Sequence, residues 1–182
     1  MTFLTYATPS HRVYMSILTY HSRARFWREG LGGAAAGVAG VERWRRGLLA
    51  LGCVVTVLAV AHHVDHVVRG NHSGWPFEEA VTPFTFSLLI YALLLPGISM
   101  NLRGRVAAGW WLFVALVGLA LVFSVHFVGA DREAPIRDIY AVYEGPVWGV
   151  LALVVLYGLV LGLVALVATA FRAVVASRNE RG

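Results

Sequence analysis

Residues 47–70 read GLLALGCVVTVLAVAHHVDHVVRG. From Gly47 to Ala61 the stretch has no charged side chain and one hydroxyl, Thr56. A bilayer crossing takes about 20 mostly apolar residues. A buried helix of a water-soluble domain is usually shorter. Residues 47–68 therefore read as a membrane span whose last two turns carry His62, His63, Asp65 and His66.

Three further stretches have the same character, at about residues 81–100, 106–129 and 146–170. Turn formers separate them. Gly70, Asn71, Ser73, Gly74 and Pro76 follow the first span. Asn101, Arg103, Gly104 and Arg105 form a tight polar link between the second and third. Pro83 and Pro146 stand in the first turns of spans two and four, where a missing N–H costs little. Pro96 is expected to kink or end span two. The sequence thus predicts an all-α, four-helix transmembrane bundle occupying residues 41–176.

The composition agrees. Of 182 residues, 58% are hydrophobic and 14% charged, and the mean hydropathy is +0.68. Soluble domains lie near 45–50% apolar and about 25% charged. Disorder, which needs low hydrophobicity, is excluded. So is a disulfide scaffold, because Cys53 is the single cysteine.

The formal charge of +5 would ordinarily raise nucleic acid as a partner. Its distribution points elsewhere. All fifteen basic residues are arginine, and twelve lie before span one, between spans two and three, or after span four. Only Arg69, Arg132 and Arg137 lie on the other side. Basic loops stay cytoplasmic. Both termini are therefore expected inside, with the arginine rim facing anionic lipid and no nucleic acid bound. Glu78, Glu79, Asp131, Glu133, Asp138 and Glu144 all fall on the outer side. The arginine-only, Ala/Val/Gly/Leu-rich usage suggests a prokaryotic plasma membrane. Residues 1–40, ending in the small-residue run LGGAAAGVAG, read as a poorly ordered cytoplasmic tail, and residues 177–182 as a second tail.

Polar residues inside a span are costly unless used or paired. Five of seven histidines fall in the outer half: His62, His63, His66, His72 and His126. On a helix His62, Asp65, His66 and Arg69 form one stripe, with His63 about 100° away. His126 ends span three, which runs outward like span one, so it reaches the same level. Imidazoles at i,i+4 plus a third from another helix are a metal-ligand pattern. Three nitrogens with an open position suit Zn or Cu, and an added carboxylate suits Zn or Fe. The expected ligands are His62, His66 and His126, with Asp65 as a fourth ligand or an orienting partner. His63 is the substitute. One alternative is a single b-type haem held between spans one and three. Another is a non-catalytic accessory or assembly protein whose histidines only hydrogen-bond. No GxSxG, GxxxxGK[ST] or GxGxxG pattern is present.

Two packing features complete the reading. Residues 135–143 place Ile136, Ile139, Tyr140 and Tyr143 at helical spacing, which predicts a short outer interfacial helix between spans three and four. Gly145/Gly149 and Gly158/Gly162 are small-xxx-small pairs. They let span four pack closely within the bundle or pair two subunits.

Overall fold

The computed structural model describes residues 10–70, 81–128, 135–143 and 145–179. His72, Glu78, Glu79, Asp131, Glu133 and Glu144 lie outside them, as do residues 1–9 and 180–182. The helices are α1 (Ser10–Arg69), α2 (Pro83–Ser87), α3 (Ile90–Leu102), α4 (Ala108–His126), α5 (Pro135–Val142) and α6 (Pro146–Asn179). The chain divides into two units, Met1–Glu42 and Arg43–Gly182. Within the first, the chain is helical from Ser10 onward. The second contains His62, His63, His66 and His126.

Four helical stretches are long and apolar enough to cross a membrane: Ala39–Arg69, Pro83–Leu102, Ala108–His126 and Pro146–Asn179. Their outward faces carry large apolar side chains. Val57, Leu116, Trp148 and Leu161 are all exposed. Soluble monomers rarely expose contiguous apolar surface of this kind.

Helix ends follow local chemistry. Gly70 has φ +50°, and its N–H donates to the His66 carbonyl at 3.0 Å, so α1 stops in a left-handed cap. Gly104, at φ +81°, closes α3 the same way. Arg105 N–H donates to the Met100 carbonyl and Gly104 N–H to that of Asn101, the paired bonds of a Schellman motif. α2 starts on a reciprocal cap between Thr82 and Thr85, with Pro83 in its first turn.

Span two differs from the expectation. It is broken at Leu88–Leu89 rather than at Pro96, and α3 runs through Pro96 to Leu102. The cause of the break is local. The Ser87 hydroxyl contacts the Phe84 carbonyl at 2.7 Å, competing with the Leu88 N–H for the same acceptor. Near Pro96, the Trp110 indole N–H donates to the Leu93 carbonyl at 2.9 Å, in the turn that the proline loosens.

Two helices bury a regular stripe. On α1 the buried positions are Leu48, Gly52, Val55, Ala59, His62, His66 and Arg69. They alternate by three and four residues, which is a heptad seam. The same seam runs along α6 through Gly149, Ala152, Leu156, Leu159, Leu163, Leu166, Ala170 and Ala173. α4 packs most extensively on α6, and α5 also lies against α6. Of the span-four glycines, Gly162 faces α1 closely: a Cβ there would meet Val55 at 3.2 Å, whereas one at Gly158 would lie at ordinary contact distance, 3.7 Å, from Leu58.

Trp111 pins the end of the bundle away from the histidines. It is fully buried. A Cβ at Gly52 would lie 2.4 Å from its ring, and one at Gly97 would lie 2.9 Å away. Its indole N–H donates to the Asn101 Oδ1 at 3.3 Å, and the Asn101 amide donates to the Arg45 carbonyl at 3.1 Å. Arg45 returns a bond to the Asn101 carbonyl at 2.8 Å. Three spans are thus tied through one satisfied buried amide. Because the ring is gripped from two sides, it cannot step aside for a methyl group. Gly52→Ala is expected to lower stability by about 1–3 kcal/mol, read as a lower denaturation midpoint in detergent. Gly109→Ala is the control, since a Cβ there meets nothing within 4 Å. Equal midpoints for the two variants would refute the slot.

Candidate metal centre

The apolar seam of α1 becomes polar in its last two turns. His62 and His66 occupy the same buried stripe as Val55 and Ala59, so the fold turns both rings inward. His126, the last residue of α4, meets them. All three are buried, at 6%, 4% and 1% exposure respectively.

The three rings converge. The His62 Nε2 lies 3.3 Å from that of His66 and 3.1 Å from that of His126. One nitrogen from each ring can be chosen so that all lie within 4.8 Å of one another. Two nitrogens bound at about 2.0–2.1 Å to one tetrahedral ion are about 3.3 Å apart. Three imidazole lone pairs that converge at such spacing need either a shared proton or a cation between them. The group could hold a metal ion. It is held by elements with little freedom, two helices whose neighbouring turns are core.

His63 and Asp65 are placed differently. Both ring nitrogens of His63 are engaged. Nδ1 lies 2.8 Å from the Ala59 carbonyl oxygen and 2.9 Å from the Tyr91 hydroxyl, and Nε2 lies 2.8 Å from the Ser87 hydroxyl. Either tautomer leaves both nitrogens occupied.

Asp65 turns toward the α5–α6 link. Its Oδ2 accepts from the Arg69 Nε at 2.8 Å, and its Oδ1 accepts a short bond from the Tyr143 hydroxyl. The sequence places Tyr143 at the end of the short outer helix and gives it no partner. A carboxylate one turn before a buried arginine was the available signal, and a tyrosine 78 residues away was not readable from spacing.

The Tyr143 phenol is pushed up to about 12, first by burial and then by its bond to Asp65. A raised value means the fold favours the protonated phenol. The stability it contributes is present below about pH 10, the ordinary tyrosine value, and is lost as pH rises through about 12. Alkaline absorbance titration is expected to show a late-ionising tyrosine that Tyr143→Phe removes. An unchanged titration curve in that variant would refute the contact.

Comparison with known proteins finds no matching family model, no matching curated protein and no matching solved structure. Fold and site together therefore define the class. The described residues are helical apart from short links, with four helices capable of crossing a membrane and a buried three-histidine group that could hold a metal ion.

Proposed function

We propose that this is a multi-pass membrane metalloprotein in which His62, His66 and His126 hold a transition metal, Zn, Cu or Fe. The single observation that carries the reading is the convergence of three buried Nε2 atoms from two helices. Burying three imidazoles side by side is unfavourable unless something binds their lone pairs. Three nitrogen ligands leave a position open for a further ligand.

Asp65 acts from outside the ligand set, fixing Arg69 and Tyr143 beside the histidines. His63 belongs to the Ser87–Tyr91 contacts rather than to the metal. A bis-histidine haem is disfavoured, because its axial ligands need a macrocycle between them. Rings with Nε2 atoms 3.1 Å apart leave no room for one.

The arginine asymmetry supports a plasma-membrane topology with both termini inside, anionic lipid at the basic rim, and the histidines at the outer end. On that topology α5 lies at the outer interface, and its buried Ile139 and exposed Arg137 fit that placement.

The test is elemental analysis of the protein purified in detergent, with an absorbance spectrum. About one metal ion per chain and no Soret band are expected. A chain that carries no metal and takes up none from Zn, Cu or Fe salts would leave the histidines as a hydrogen-bonded structural trio.

A further inference from the structure

A cavity of about 50 Å³ opens directly against the three histidines. His62, His66, His126 and Ser87 line one end. Val55, Leu94, Val114 and Leu163 line the rest. Along α1, Val55 lies seven residues from His62, which is about 10 Å at 1.5 Å per residue. Along α4, Val114 lies twelve residues from His126, about 18 Å by the same rise. The lining therefore extends about 10–18 Å along the helices, with the histidines at one end and apolar side chains along the rest.

Those properties select an occupant. A single water needs about 10–15 Å³ of such volume, and an apolar cavity without hydrogen-bonding partners stays dry. The apolar part of this one offers water nothing. Its volume suits the thin end of a flexible chain better than a fused ring system. Ligand pockets generally combine apolar walls with a few polar groups that fix orientation. Here the polar groups are the histidines themselves, so the ligand must bring a polar atom to that end. The four helices able to cross a membrane put acyl chains, rather than water, around the bundle.

We infer that the centre receives a lipid-phase molecule with a hydrocarbon chain and one oxygen-bearing end. The chain lies along Val55, Leu94, Val114 and Leu163, and the oxygen faces His62, His66 and His126. This rests on the metal reading, since the open ligand position is what the oxygen occupies.

The probe is palmitic acid carrying a diazirine at mid-chain, added to the full-length protein in phosphatidylcholine nanodiscs and irradiated. Adducts are mapped by peptide mass spectrometry. The expected result is labelling of the inward residues Val55, Leu94, Val114 or Leu163, suppressed by excess palmitic acid and not by hexadecane. Val114→Phe fills the cavity well below the histidines. It is expected to abolish the inward labelling while metal content stays at the wild-type level. Val114→Met, a milder filling, is expected to reduce the labelling if the phenylalanine variant does not fold. Labelling confined to bilayer-facing side chains such as Val57 and Leu161 overturns the inference. Equal competition by hexadecane overturns the oxygen-bearing end. The two readings fail separately: inward labelling of a metal-free chain sinks the metal centre, and a metal-loaded chain labelled only outside sinks the chain site.

Discussion

If His62, His66 and His126 hold the proposed metal, His126→Ala is expected to remove it, with affinity falling well beyond the roughly 10–100-fold typical when a partner outside the ligand set is lost. The reason is geometric. His62 and His66 come from consecutive turns of one helix, while His126 is the sole contribution of α4 to the group. Without it, two imidazoles remain on one wall and the ion loses the ligand that closes the site. The variant should still fold, because His126 sits at the last position of α4 and the seam below it is intact. His63→Ala is the informative comparison. It removes an adjacent imidazole that bonds Ser87 and Tyr91, so metal content should be unchanged. Metal analysis of both variants decides the matter. A His126→Ala protein that keeps its metal, or a His63→Ala protein that loses it, would overturn the ligand assignment.

Asp65→Ala is expected to lower stability by about 3–5 kcal/mol, the scale for removing one partner of a buried ion pair. The Arg69 and Asp65 side chains are 1% and 9% exposed, so neither charge is well solvated. The loss strands the Tyr143 hydroxyl as well, which binds the same carboxylate. The effect should be largely relieved in the double variant Asp65→Leu/Arg69→Met. Replacing a buried pair with apolar groups of similar volume is often neutral or stabilising. Denaturation midpoints for Asp65→Leu, Arg69→Met and the double variant form the cycle. Additive losses would mean that the two charges do not act on each other.

These two expectations rest on different kinds of information. The stripe His62, Asp65, His66, Arg69 follows from helical periodicity, and helical periodicity is local. It correctly put His62 and His66 on one face. It could not say that Asp65, only three residues from His62, turns away to the α5–α6 link. One helical step of about 100° separates facing the seam from facing a neighbour. Which neighbour is there depends on packing. Likewise, Asn101 reads as part of the polar link after span two, and Trp111 as one more apolar residue of span three. In the fold they form a buried clamp, because Gly52 on α1 and Gly97 on α3 together leave a slot of indole size. A glycine in a span signals close approach, but not what approaches.

The broken second span carries the same lesson. Pro96 was the visible irregularity, yet α3 continues through it. The break comes at Leu88–Leu89, beside a serine whose hydroxyl contacts both the Phe84 carbonyl and His63. The first contact is local, and the second needs the bundle.

What the sequence determined alone was the solvent and the segmentation. Four runs of about 20 apolar residues exclude water as the surroundings of those helices, because burial on that scale exceeds what one chain can hide. Glycine and proline placed the ends, since only they accept a left-handed cap or lack an N–H. What only the tertiary structure decided was which scarce polar groups meet. His62 and His126 are 64 residues apart, and their 3.1 Å approach exists only because α1 and α4 pack into one bundle. Inside a low-dielectric core, such a meeting needs a shared proton or a cation between the rings. The convergence, not the count of histidines, is therefore the evidence for a site.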